Sequence, residues 1–261
     1  MMDIQELRND KKFENWHEYE PMDAQYVRYI KTDPSVLAAG HKINDVYHTF
    51  CDARASLLQA NYKNYGDLCA DNEISRLYIK TKFLKDALME YAICLDLSWQ
   101  VVWAYIQPSS FAYLVQKKYK EMEKLCTEDN VHSQLNCAIA QNVDKAKRIK
   151  DLIICFGDEK TVGDIRSIYN SIKHRGMMYF KGFSKEDISK FLFDPNIEMP
   201  LKRETYDPNY IQELLLSYHE KFEEYFNDLI SLIMPIDYKN NDIGIINYIS
   251  ILDEIKKIQL E

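Results

Sequence analysis

Residues 166–179, RSIYNSIKHRGMMY, carry a compact set of side chains that could act on a phosphodiester bond. At about 100° per residue, Arg166, Asn170 and Lys173 fall on one flank of a predicted helix, and His174 lies just beyond them at its end. Histidine gives and takes a proton near neutral pH, while Arg and Lys hold a phosphate and the charge that develops on it. Because RNA supplies its own nucleophile, the 2′-hydroxyl, this set predicts RNA cleavage without a metal.

The same residues also fit an ordinary helix C-terminus. Lys173, His174 and Arg175 would place cations at the negative end of the helix dipole, and Gly176 would end the helix in a left-handed turn. Spacing alone is compatible with both interpretations.

The run 168–176, IYNSIKHRG, late in a helical chain, resembles the HEPN superfamily, the "higher eukaryote and prokaryote nucleotide-binding" domains. The hallmark of that family is an Arg, then a polar residue such as Asn, then a few residues to a His at a helix end. The resemblance implies an all-α bundle of four or five helices that pairs as a homodimer. It also implies metal-independent ribonuclease activity, which many members use in toxin, antiphage or RNA-processing systems.

Two positions of the motif match and one departs from it. Asn170 stands at the polar position and His174 at the His position, but Tyr169 stands where the family has Arg. Arg166, one turn earlier, or Arg175, directly after the His, would have to supply the cation. Some members carry a modifiable Tyr two residues past the His, and because this chain has Gly176 there, that role is not transferred.

The predicted mechanism gives each of these side chains one task. His174 deprotonates the 2′-hydroxyl or protonates the leaving 5′-oxygen, and Arg166 or Arg175 neutralises the phosphate in the transition state. Asn170 orients the phosphate by hydrogen bonding. The product would carry a cyclic phosphate, and neither a metal nor a cofactor is expected. The alternative function is a catalytically inactive HEPN-like scaffold that binds a nucleotide or a partner protein.

A basic patch precedes and follows this motif, with aromatic residues interleaved. The patch could follow an RNA strand by charge and stacking, although charge runs are usually solvated helix faces. Its predicted RNA contacts are Lys145, Lys147, Arg148, Lys173 and Lys181, together with Lys150 and Lys185.

Two further constellations have structural and functional interpretations. His41, Asp45, His48 and Asp52 share one face of a predicted helix, where they could hold a divalent metal but are expected to be a solvated face of paired charges. Asp96 lies in the apolar run YAICLDLSWQVVWAYI and must find a partner, either an Arg of the motif or a Lys, Tyr or Trp at a bundle edge.

Composition excludes several classes of protein. Gly and Pro number 7 each in 261 residues, too few for a sandwich, a propeller or a Gly-looped nucleotide fold. The net charge of −8 argues against general nucleic-acid binding. However, residues 141–203 hold 13 Lys and Arg against 9 Asp and Glu, which is typical of a local site. The six cysteines lack C-x-x-C spacing and are expected to be reduced, buried thiols. Together with an N-terminus that has no apolar core and the lack of a spanning segment, they predict a cytoplasmic protein.

Apolar periodicity predicts an all-α, up-and-down helical bundle in one domain, 1–261, with its core at about 70–234. Residues 1–33 are expected to form a strap with a short helix, and residues 235–261 a tail with a weak helix from 243. The predicted helices and other segments run from Pro34 to about Tyr65, Asn72 to Ile106, Ser109 to Cys126, Asn130 to Phe156, Thr161 to Arg175 and Pro208 to Met234, with an extended stretch at 177–183 and a loop at 194–209.

Overall fold

A computed structural model describes residues 2–107, 115–143, 145–183 and 204–242, together with residues 196, 249, 251 and 256. The predicted all-α class is confirmed, because these residues form nine α-helices and only two paired strands of two residues each. None of the described helices has both the length and the apolar character needed to cross a membrane.

The helices of the described residues vary from 6 to 34 residues in length. They are α1 (Ile4–Asn9), α2 (Asp23–Tyr29), α3 (Pro34–Gln59), α4 (Glu73–Ile106), α5 (Gln116–Lys124), α6 (Glu128–Ala140), α7 (Ala146–Gly157), α8 (Lys160–Arg175) and α9 (Pro208–Ile233). Two 3₁₀ helices cover Glu14–Tyr19 and Gly66–Leu68. Strand β1 (Tyr179–Phe180) pairs in parallel with β2 (Thr205–Tyr206).

The chain divides into two compact units, and α3, α4 and α9 contribute residues to both. The first unit comprises Met1–Asp10, Phe50–Ala92 and Glu159–Lys221. The second comprises Lys11–Thr49, Ile93–Asp158 and Phe222–Glu261.

The first unit buries the apolar faces that its helices contribute. Along α8, Val162, Ile165 and Ile168 are buried at the spacing of one helical face. The end of α3 and the start of α9 bury a similar set, which includes Phe50, Ala53, Leu57, Ile211, Leu215 and Tyr218. This burial fixes which face of α8 is left outside the core.

The second unit is organised around aromatic contacts. The Trp16 ring lies 4.7 Å from that of Phe226, and its indole N–H donates to Asn227 at 2.8 Å. Phe156 stacks on Tyr225 with ring centroids 4.1 Å apart. The N-terminal segment therefore packs through a fully buried tryptophan, with two α-helices and a 3₁₀ helix where the sequence predicted one short helix and a strap.

Most helix predictions are confirmed, with some changes at helix ends. α3 begins at Pro34 as predicted but ends at Gln59, and α4 and α8 match their predicted spans to within a residue at each end. The single helix predicted over 130–156 is wrong: it is two helices, α6 and α7. Asn142 and Lys145 separate them with φ of 55° and 68°, the left-handed region that a helix cannot continue through.

Other predictions fall wholly or partly outside the described residues. Residues 109–114 of the third predicted helix, most of the 194–209 loop and most of the tail from 243 belong to this group. The helix predicted to run unbroken from Ser109 is wrong, because Val115 is extended, with φ of −78° and ψ of 120°, and α5 begins only at Gln116. The expected burial of the cysteines is wrong in part, since Cys137 and Cys155 are exposed whereas Cys94 is buried. A single domain with a core at 70–234 stays a prediction.

Candidate site at the end of helix α8

Helix α8 presents the motif because its opposite face is buried. With Val162, Ile165 and Ile168 in the core, positions 170 and 174 fall on the outward side, one turn apart. Gly176 ends the helix with φ of 138°, a conformation that L side chains rarely adopt, and its N–H donates to the Ser171 carbonyl at 3.2 Å.

His174 and Asn170 are both exposed. In the described part of the chain, neither side chain has a hydrogen-bond or ion-pair partner. An imidazole in this setting is accessible to a substrate and is not used to brace the fold.

The two candidate arginines differ in their surroundings. Arg166 is half-buried and already interacts with another group, although its position shares the outward flank with Asn170. Arg175 is exposed, but one residue after His174 it lies about 100° further around the helix. It lines a cavity to which neither His174 nor Asn170 contributes.

Tyr169, which stands where the HEPN motif has Arg, makes a cation–π contact with a lysine. Tyr169 is half-buried, and the Lys173 ammonium lies 5.7 Å from its ring centroid, within range of a cation–π contact. Lys173 therefore brings positive charge to the ring of Tyr169.

A cavity of about 370 Å³ opens beside the end of α8. Ile168 and Met178 form buried parts of its wall, while Arg175 and Glu204 lie at exposed positions. Its complete lining is Ile168, Ser171, Ile172, Arg175, Gly176, Met177, Met178, Tyr179, Glu204 and Tyr206.

The β1–β2 pairing brings the far wall of this cavity into place. Tyr179 pairs with Thr205 and Phe180 with Tyr206, and the Lys181 N–H donates to the Tyr206 carbonyl at 3.0 Å. Burial and a hydrogen bond to Glu204 raise the pKa of Tyr206 to about 12, so the phenol stays protonated at neutral pH. Sequence reasoning missed Glu204 and Tyr206, because it assigned 194–209 to a loop.

The basic patch is divided between the two units. In the second unit, Lys147 and Arg148 are exposed, Lys145 is half-buried and already interacts with another group, and Lys150 donates to Asn136 at 2.7 Å. In the first unit, Lys173 and Lys181 are exposed. Lys185, the last residue of the predicted patch, lies outside the described residues.

Two of the four residues that share a face of α3, His41 and Asp45, contact neighbouring charged groups. His41 Nδ1 lies 2.9 Å from Glu20 Oε1, and Asp45 accepts from Lys42 at 3.0 Å. His48 and Asp52 are exposed. These pairs support the interpretation of a solvated, charge-paired face. Asp96 is half-buried and interacts with another group, and its predicted bond to an Arg of the motif stays a prediction.

A second histidine of the first unit, which the sequence analysis did not single out, is fully buried. The Tyr91 hydroxyl lies 2.7 Å from His219 Nδ1, and His219 Nε2 lies 3.0 Å from Asp10 Oδ2. The imidazole also stacks on Phe50 with ring centroids 4.5 Å apart. The sequence signal for His219 was its position directly beside the apolar face of α9.

No protein-family model, no curated protein and no solved structure matches this chain. The all-α fold and the α8 site therefore rest on this chain's own residues, and the HEPN resemblance stays a prediction.

Proposed function

We propose that the protein binds RNA and cleaves it without a metal, using the C-terminal end of α8. The observation that carries this proposal is the exposed pair His174 and Asn170, one turn apart, with no partner in the described part of the chain. Polar side chains that a fold leaves open on a rigid helix are available for a substrate, and the types present suit acid–base work on a phosphodiester.

His174 takes the proton of the 2′-hydroxyl as that oxygen attacks phosphorus, or it gives a proton to the 5′-oxygen as the P–O bond breaks. One strand then ends in a 2′,3′-cyclic phosphate and the other in a 5′-hydroxyl. Asn170 donates a hydrogen bond that fixes the phosphate orientation, which is the contribution expected of a neutral amide.

The cation that this chemistry needs has three sources near the end of the helix. Lys173 and Arg175 are exposed, and Arg166 is half-buried on the outward flank. A phosphate at a helix C-terminus meets the negative end of the dipole, so cations in the last turn are needed to reverse the local field.

From the HEPN resemblance we also propose a homodimer and a cellular role. A homodimer would bring a second His174 to the phosphate, so that one imidazole serves as base and the other as acid. The expected setting is a bacterial defence or stress system in the cytoplasm, with a cognate partner protein that controls the activity.

The test is RNA cleavage in EDTA by the purified protein and its His174→Ala variant. We expect the parent to yield cyclic-phosphate ends and the variant to lose at least about 100-fold in rate, the usual contribution of a general acid or base. His48→Ala, an exposed histidine on α3, is the matched control and should cleave like the parent. Equal cleavage by parent and His174→Ala would refute the assignment.

A catalytically silent scaffold is the second candidate, and Tyr169 is the observation that favours it. Tyr169 and the Lys173 ammonium over its ring do not replace an arginine. A lysine binds phosphate as a point charge, whereas a guanidinium binds it through two parallel hydrogen bonds. Under this alternative the protein binds a nucleotide or a partner protein through the same surface, and neither the parent nor the variant cleaves RNA.

A further inference from the structure

We propose that the cavity beside the end of α8 binds a guanine nucleotide, with Glu204 at the base edge and Arg175 at the phosphate. The side chains that line the cavity determine this choice of ligand. The inference uses the proposed RNA function only to suggest that the guanine belongs to an RNA strand.

The cavity wall holds one positive and one negative side chain. Arg175 and Glu204 line the same cavity at exposed positions, yet they form no ion pair with each other or with any other residue that the structure describes. Opposite charges that share a wall without pairing can each bind part of a ligand that has an anionic end and a hydrogen-bond-donating end.

The size and the apolar wall of the cavity suit a nucleobase. A volume of about 370 Å³ is in the range of small-molecule sites, and a wall of isoleucine, methionine and tyrosine suits a flat aromatic ring. Tyr179 and Tyr206 are half-buried, which leaves part of each ring available for stacking. A base can therefore lie on a tyrosine while its edge faces Glu204.

The Glu204 carboxylate favours guanine among the four bases. A carboxylate only accepts hydrogen bonds, and guanine presents two adjacent donors, N1–H and the 2-amino group, that can bind both of its oxygens. The corresponding edges of adenine and cytosine offer only the amino group as a donor, and that of uracil offers one N–H between two repelling carbonyls. The Tyr206 hydroxyl, which hydrogen-bonds to Glu204, holds the carboxylate in place.

The experiment measures calorimetric binding of the four 5′-monophosphates GMP, AMP, CMP and UMP to the full chain. We expect GMP to bind about tenfold or more tightly than the other three, in line with a bidentate base contact. Glu204→Gln should remove this preference, and Arg175→Ala should weaken all four nucleotides together. Glu213→Gln, an exposed carboxylate on α9 outside the cavity, is the control and should bind like the parent.

A second arm uses the RNA pentamers AAGAA and AAAAA to identify the source of the guanine. If AAGAA is preferred in a Glu204-dependent manner while free GMP binds weakly, the guanine belongs to RNA. If GMP binds as tightly as AAGAA, the ligand is a free nucleotide, and the inference stands even when no RNA is cleaved. Equal binding of all four monophosphates and of both pentamers, or a preference that survives Glu204→Gln, would overturn it.

Discussion

At the residue scale, two histidines of the first unit show how burial separates structural from chemical roles. His219 is fully buried, with Tyr91 at one ring nitrogen and Asp10 at the other. His174 is exposed, and in the described residues neither of its nitrogens has a partner. Since a buried imidazole must satisfy both nitrogens inside the fold, only the exposed one is available to a substrate.

Glu90 is a residue whose ionisation opposes folding. Burial, with Asp52 and Asp86 nearby, raises its pKa, although a hydrogen bond from Ser56 at 2.9 Å acts in the other direction. The folded chain therefore binds this proton more tightly than the unfolded chain does. The free energy of unfolding accordingly falls as pH rises from the ordinary pKa of a Glu through the raised value.

We predict that Glu90→Gln raises the thermal unfolding midpoint at pH 7 by about 1–3 °C. The amide removes the half-buried charge and keeps an oxygen that can accept from Ser56. Near pH 4 the parent's Glu90 is protonated in the folded state, so the two midpoints should converge. Glu213→Gln is the control for an exposed carboxylate, and a lower midpoint for Glu90→Gln at pH 7 would contradict the prediction.

At the element scale, apolar periodicity predicted the helices that bury one face over many turns. α3, α8 and α9 each repeat buried residues at helical spacing, so their starts and faces can be derived from sequence. The break between α6 and α7 could not be derived from the sequence, because 141–145 contains neither Gly nor Pro. There the left-handed residues are an Asn and a Lys, and left-handed Lys is uncommon.

The candidate site was predictable in part for a similar reason. Spacing within α8 placed His174 and Asn170 on one side, and their exposure agrees with that interpretation. The cavity depends on Tyr179–Phe180 pairing with Thr205–Tyr206, two segments far apart in sequence. A strand of two residues carries no periodicity, so Glu204 could not be assigned to the cavity from the sequence.

Gly40 marks a close approach between α3 and its neighbours in the second unit. A Cβ at this position would lie 2.5 Å from the Tyr19 carbonyl oxygen and would also clash with the Tyr238 hydroxyl, which donates to that carbonyl at 3.0 Å. The helix therefore has no room for a side chain there.

We predict that Gly40→Ala lowers the free energy of unfolding by about 1–3 kcal/mol, measured by urea denaturation. The matched control is Gly163→Ala on α8, where an added Cβ meets nothing within 4 Å. That variant should gain about 0.5–1 kcal/mol from helix propensity. Similar stability of the two alanine variants would refute the steric argument.

At the scale of the whole molecule, charge is unevenly distributed. The chain carries −8 overall, yet residues 141–203 carry an excess of Lys and Arg. A polyanion is repelled by such a protein except at local cationic surfaces, so RNA affinity should depend steeply on salt.

We predict that the double variant Lys147→Ala/Arg148→Ala reduces the slope of log K against log salt for single-stranded RNA by about 1.4, or about 0.7 per lost phosphate contact. Fluorescence anisotropy across a salt series measures this slope. Lys117→Ala/Lys118→Ala on α5 is the control, since both lysines are exposed outside the predicted contacts. An unchanged slope in the first double variant would remove this part of α7 from the RNA surface.

The interior chain of Tyr91, His219 and Asp10 also constrains how this molecule can be altered. Each of these side chains is buried and bonds to the next, so replacing one removes a partner from its neighbour. Three positions on three different helices or helix ends are thereby linked through one imidazole. A redesign of this interior would start from His219, because a change there alters the surroundings of both other positions.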